Sequence, residues 1–296
     1  MPPDAHTRYP LVLVHGLLGF VRLAGRPYWY GIDSALREQG AQVFTPKVSS
    51  LNGNEVRGEQ LLERIGEILA TTGAQKVNLI GHSQGALTVR YAAALRPQWV
   101  ASVTSVGGPN QGSELADYLV QKLPHNGRRE KFAARAAHGV ARMLELFESH
   151  EYSLHLPLDG IASHRALTCA GMQSFNQRFP QGVPTVWGGE GDYEVDGVRY
   201  YSWAGTLQPG VTDRGRNRLD PSQAMCRTLS RTFVREAGQN DGFVGRFSAH
   251  LGQVIRSDYP LDHLDLINQF SGRVPDGVDP VGLYLEHAAR LREAGC

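Results

Sequence analysis

The chain has 296 residues, with 30 Lys and Arg against 29 Asp and Glu, a formal net charge of +1 with His neutral. At 41% hydrophobic and 20% charged residues it is too apolar for a disordered chain and lacks the net basic field of a nucleic-acid binder. Cys169, Cys226 and Cys296 form neither a disulfide framework nor a zinc pattern, and nothing local demands a Cys169–Cys226 bridge. No apolar run approaches the roughly 18 residues of a membrane span, and the opening Met1-Pro-Pro-Asp-Ala-His has no apolar signal core. Stable membrane insertion is therefore not expected.

Leu11–Val14 reads as a short buried strand closed by His15-Gly16. A helix is expected over Asp33–Gln39 and a second strand over Ala41–Phe44. Leu61, Leu62, Ile65, Ile68 and Leu69 share one face of a helix running from Glu55 to Ala70, with Gly73 placed as its C-terminal cap. A third strand begins at Val77–Ile80, a helix follows over Gln84–Leu95, and Val100–Ser105 is a fourth strand. This alternation predicts an α/β fold with a mostly parallel sheet and helices on both faces. From Pro124 to His150 the rhythm breaks. Phe132, Ala136, Val140, Met143, Leu144 and Phe147 form one helical stripe, which reads as a packed surface helix or as a cover. Residues 186–223 are turn-rich around one strand candidate, Val198–Trp203. No repeat or linker divides the chain, so a single domain over 1–296 is expected, with 122–165 as an inserted lid region.

Gly81-His82-Ser83-Gln84-Gly85 fits G-x-S-x-G between an expected strand and an expected helix, the setting of a nucleophile elbow. Such a turn strains the serine backbone and exposes its hydroxyl at a helix N-terminus, where developing negative charge is favoured. His15-Gly16-Leu17-Leu18-Gly19 follows the first strand, where the other half of an oxyanion hole belongs. The N–H groups of Leu17 and Gln84 are the natural donor pair, and His15 reads as structural. A serine nucleophile needs a histidine base and an orienting carboxylate, in the chain order Ser, Asp or Glu, His. Of the 11 histidines, His263 in Leu261-Asp262-His263-Leu264-Asp265 is placed where the last core loop belongs, while His250 and His287 read as structural. Asn240-Asp241-Gly242, after a strand-like segment, is on its residues alone simply a good turn.

Taken together, Tyr9–Gly16, Asn54–Leu61, Val77–Gly85, Gly188–Asp192, Gly197–Tyr201, Asn240–Gly245 and Asp262–Gln269 resemble the bacterial true lipases of the Pseudomonas and Burkholderia type. The likeness is closest to the Proteus-type subgroup of that α/β-hydrolase family and weakest over 122–165. It implies a triad of Ser83, Asp241 and His263, which selects Asp241 over the plain turn. It further implies a structural Ca²⁺ held by the carboxylates of Asp220 and Asp265 and the main-chain carbonyls of Gln269 and Arg273. The cysteines of the disulfide found in secreted Pseudomonas-type members would fall at Gly188 and Phe247, so that bridge is absent, and no dedicated foldase is implied. The implied activity is that of a triacylglycerol lipase acting on long-chain esters at an oil–water interface, as a monomer. A short-chain carboxylesterase or thioesterase with the same triad is the alternative. Location is left open between export without an N-terminal signal, a processed secreted form and the cytoplasm.

Overall fold

The computed structural model describes residues 4–23, 25–122, 156–214, 217 and 220–296. The stripe Phe132–Phe147 lies outside the described residues. In chain order the elements are β1 (Leu11–Val14), β2 (Arg22–Leu23), β3 (Arg26–Pro27), α1 (Ile32–Glu38), β4 (Val43–Phe44), α2 (Asn54–Thr72), β5 (Val77–His82) and α3 (Gln84–Leu95). They continue with β6 (Val100–Val106), α4 (Glu114–Lys122), α5 (Gly160–Ala166), α6 (Cys169–Arg178), β7 (Glu194–Val195) and β8 (Val198–Gly205). The last are α7 (Pro221–Leu229), β9 (Gln253–Tyr259), α8 (Gln269–Gly272) and α9 (Pro280–Glu293).

The main sheet has 7 strands in the order β4-β1-β5-β6-β8, with β7 and β9 sharing the outer edge of β8. Every pairing in it is parallel except β7 with β8. Successive side chains of a strand point to opposite faces, so a strand covered on both faces reads as an unbroken apolar run. β1 shows this directly. Val12 and Val14 join a core with Leu61, Ile65 and Ile68 of α2 and Val89 of α3, whereas Leu11 and Leu13 join Ile32 and Leu36 of α1 and Tyr284 and Leu291 of α9. The expected three-layer arrangement is present.

Helix boundaries follow local chemistry. α2 ends where Gly73 takes φ 69° and its N–H donates to Leu69 O at 2.9 Å. The second strand is shorter than the expected Ala41–Phe44, because the Ala41 N–H closes α1 by donating to Leu36 O at 2.9 Å. The turn-rich 186–223 tract contains two strands, not one: Asp196 and Gly197, both at positive φ, turn β7 back onto β8. The strand expected before Asn240 is absent; Ser230–Thr232 is a 3₁₀ turn, and turns lead from it to Asn240. The strand of this region, β9, comes after the acidic turn. All three cysteines are free thiols, so Cys169 and Cys226 are not bridged.

Candidate active site

The carboxyl ends of β1, β5 and β9 deliver three loops to one edge of the sheet, where α/β folds place their sites. β5 passes through Gly81-His82 into Ser83, which holds φ 56° and ψ −127° before α3 begins. The Ser83 N–H donates to Val106 O at 3.0 Å, tying the elbow to the end of β6. A Cβ on Gly85 would collide with the Val14 carbonyl oxygen, so glycine there lets α3 start hard against β1. The expected elbow is formed.

His263 lies on the loop after β9 and Asp241 on the turn Asn240–Gly245, joined at its ends by an isolated bridge. His263 Nδ1 stands 2.7 Å from Asp241 Oδ2, and both side chains are buried. A carboxylate oxygen accepts, so Nδ1 carries a hydrogen, and in the neutral ring Nε2 is the nitrogen with the lone pair. Asp241 is itself fixed, since its Oδ1 accepts the Phe243 N–H at 2.9 Å and the Val244 N–H at 2.7 Å. The Asp241 carbonyl accepts the His263 N–H at 3.1 Å, and Phe243 stacks on the imidazole with ring centroids 4.8 Å apart. The His82 and His263 ring centroids are 4.6 Å apart, which brings the residue preceding Ser83 against the base loop. Ser83, Asp241 and His263 are thus gathered at the carboxyl edge of the sheet.

The loop after β1 is held by Arg57, a buried cation with no carboxylate among its hydrogen-bond partners in the described residues. Its Nη2 donates to His15 O at 2.6 Å, Nη1 to Ser49 O, and Nε to Thr88 Oγ1 at 3.1 Å. Burial lowers its pKa to about 9, which leaves it charged at neutral pH. Leu18, at φ 52°, donates to Ser50 O at 2.8 Å. By contrast, the N–H groups of Leu17 and Gln84 have no acceptor among the described residues, the condition an oxyanion hole requires. His15 is structural as expected: its Nδ1–H donates to Gly16 O at 3.0 Å, Nε2 accepts from Val48 N–H at 3.4 Å, and burial with the nearby Arg57 charge lowers its pKa to about 3. His287 bonds Thr104 Oγ1 at 2.7 Å and His250 bonds Gly189 O at 2.9 Å, far from the triad in role.

Beneath the base loop the structure brings together Asp220 and Asp265, as expected, and adds Asp262. All three are buried, with one oxygen from each within 4.8 Å of the others. The Ser222 hydroxyl lies 2.8 Å from Asp220 Oδ2 and 2.7 Å from Asp262 Oδ2, but its single proton serves only one at a time. Asp265 Oδ1 is buried with no partner among the described residues. Burial and the neighbouring carboxylates push the protonation of Asp262 and Asp265 upward, the behaviour of a cluster short of positive charge. Gln269 and Arg273 are placed directly after this loop, at the start and C-cap of α8. The Gln269 amide is anchored on the carbonyls of Pro27 and Tyr28. Asp262 is not among the ligands expected from the sequence, although carboxylates three apart around His263 are a readable signal; nothing in the sequence singles out Arg57. Where the resemblance placed an absent disulfide, a Cβ on Gly188 would lie 3.3 Å from the Phe247 ring, so the two positions do face each other.

The model of the α/β hydrolase fold family matches residues 9–253. A triacylglycerol lipase of Pseudomonas fragi is 49% identical over 295 residues, covering 100% of both chains. One from Vibrio cholerae is 47% identical, covering 98% of this chain and 89% of its own, and one from Burkholderia plantarii is 40% identical, covering 98% and 88%. The crystal structure of Staphylococcus hyicus lipase shares the fold with a TM-score of 0.63 at 17% identity, covering 99% of each chain. The chain belongs to the α/β-hydrolase fold family and, within it, to the bacterial true lipases of the Pseudomonas and Burkholderia type.

Proposed function

We propose that the protein is a triacylglycerol lipase that hydrolyses long-chain carboxylic esters through Ser83, Asp241 and His263. The observation that carries the reading is the Asp241–His263 bond beside a strained Ser83, together with the Leu17 and Gln84 amide donors that have no acceptor among the described residues. His263 Nε2 takes the Ser83 proton as Oγ attacks the ester carbonyl. The oxyanion is held by the N–H groups of Leu17 and Gln84, each contributing about 3 kcal/mol to the transition state. Asp241 stabilises the imidazolium, which then protonates the departing alkoxide; water repeats the sequence on the acyl-enzyme. The relatives named triacylglycerol lipases favour this reading over a short-chain esterase. Ser83→Ala is expected to lower kcat by roughly 10⁴–10⁶-fold. Hydrolysis surviving that substitution sinks the triad, and a chain-length profile peaking at butyrate rather than palmitate sinks the long-chain assignment.

The buried carboxylates fit a divalent cation with hard oxygen ligands, and calcium is assigned to Asp220, Asp265 and the carbonyls of Gln269 and Arg273, with Asp262 beside them. Bound there, the ion supplies charge balance and a cross-link between α7 and the loop that carries His263. Its effect on catalysis is through the placement of His263.

A further inference from the structure

A hydrogen-bond chain crosses the floor of the site and uses two residues to which the proposed mechanism gives no task. The Gly16 N–H donates to Tyr28 Oη at 3.0 Å, Tyr28 Oη lies 2.7 Å from His82 Nδ1, and His82 Nε2 lies 2.9 Å from the His263 carbonyl oxygen. The direction is forced. A carbonyl can only accept, so His82 Nε2 carries hydrogen; a neutral imidazole has one such hydrogen, so Nδ1 accepts; the Tyr28 O–H therefore donates to it, leaving the phenol oxygen to accept from Gly16. Each polar atom in the run is satisfied, and Tyr28, His82 and His263 are all buried. Burial and the adjacent His263 keep the His82 pKa well below its ordinary value, so the ring stays neutral and the chain does not reverse. Phe20 and Trp29 pack edge-on against Tyr28, and Trp29 also against His82, which fixes both ring planes.

The chain starts one residue before the Leu17 amide, passes through the residue before Ser83, and ends on the backbone of His263 itself. We propose that Tyr28 and His82 are positioning residues that hold the oxyanion loop, the elbow and the base loop at a fixed separation. They touch no reacting atom. The inference rests on the triad reading above. A break anywhere in the chain frees both ends, so its loss acts on the transition state, where a small misplacement of donors is felt most.

The test uses the whole 296-residue chain and a soluble p-nitrophenyl ester. Tyr28→Phe keeps the ring and removes the relay; it is expected to lower kcat by 10- to 100-fold with KM within twofold of wild type, and to slow phosphonylation of Ser83 by a p-nitrophenyl phosphonate by a similar factor. His82→Gln retains an N–H for the His263 carbonyl and is expected to lose less than His82→Leu. The double variant Tyr28→Phe, His82→Gln is expected to be no slower than the worse single variant, because both cut one chain. A Tyr28→Phe kcat within twofold of wild type overturns the proposal, as does a double variant whose losses multiply. Where a variant folds poorly, ¹⁵N NMR of wild-type His82 decides: the Nε2–H tautomer from pH 6 to 9 supports the chain, and an Nδ1–H tautomer overturns it. Ser83→Ala in the same assay separates the two levels, since activity surviving there refutes the triad while the tautomer still judges the chain.

Discussion

Chelation of calcium is expected to lower the melting temperature, and the dependence on free calcium has a slope that needs no knowledge of affinity. A ligand that binds only the folded state adds about 1.4 kcal/mol for each tenfold rise above its dissociation constant. At about 2.1 cal/mol/K per residue, unfolding the 296-residue chain has an entropy near 0.6 kcal/mol/K, so each decade of calcium raises Tm by about 2 °C. The carboxylate cluster then gives the sign of the mutant. Without a cation, two ionised carboxylates with oxygens within 4.8 Å would repel by about 3 kcal/mol at an effective dielectric constant near 20, so burial and repulsion hold Asp265 protonated at neutral pH, at a cost in stability. Asp265→Asn removes the cost of protonating that carboxyl and also the negative charge that its Oδ1, unpartnered among the described residues, would offer an ion. Its Tm is expected to be higher than wild type in EDTA, lower than wild type in millimolar calcium, and flat between. Differential scanning calorimetry in buffered calcium from micromolar to 10 mM reads both curves. A wild-type Tm indifferent to calcium refutes the site, and an Asp265→Asn curve parallel to wild type refutes this choice of ligand.

Three further outcomes follow from buried groups. His287 has a folded pKa of about 3 against 6.5 for the free side chain, so its contribution to stability is present above pH 6.5 and is lost as pH falls. Between pH 7 and pH 5 the stability advantage of wild type over His287→Gln in urea denaturation is expected to shrink by about 2 kcal/mol, and a constant difference refutes the neutral buried ring. Glu236 has the opposite sign: burial raises its pKa from 4.5 to about 7, so the fold loses stability as pH rises through that window, and Glu236→Gln is expected to regain up to about 3 kcal/mol at pH 8. Equal pH slopes for wild type and Glu236→Gln count against it. Gly85→Ala would drive a Cβ into the Val14 carbonyl, and a Tm loss of more than about 5 °C is expected; a loss under 1 °C means α3 is not seated as described.

What could be read from the sequence was the local part. The elbow is a short segment whose strand, turn and helix all lie within Val77–Leu95, so its glycines and apolar run announce it together. β1 was legible because both of its faces are buried, and α2 because one apolar stripe runs its length. β9 is not legible: it is an edge strand with exposed positions at Gln253 and Arg256, so it has no apolar run, while the strand-like tract before Asn240 folds as turns. β7 was missed although Asp196-Gly197 is a hairpin signal, because two residues of strand are too few to show a period. Asp241 shows the limit most sharply. Asn-Asp-Gly is a turn wherever it occurs, and only the fold gives its carboxylate a histidine from 22 positions away.

The same distinction explains why the supports of the site escaped sequence reasoning while its reacting groups did not. A nucleophile, a base and an acid are recognised by residue type in a known order. A support is recognised by what it satisfies. Arg57 looked like one polar position on α2, yet it serves the carbonyls of His15 and Ser49, on which the β1 loop depends. Removing it would leave those buried acceptors unpaired at about 1–3 kcal/mol each, before any effect on the reaction. The carbonyls are backbone atoms, present in any sequence, so no pattern of side chains advertises the need for a cation there. The same holds for Asp262, whose Oδ1 takes the N–H groups of Leu264 and Asp265 and so bends the chain that presents His263. The reactive groups are therefore set by residue identity, but their placement is set by backbone groups that side chains far off in sequence must satisfy.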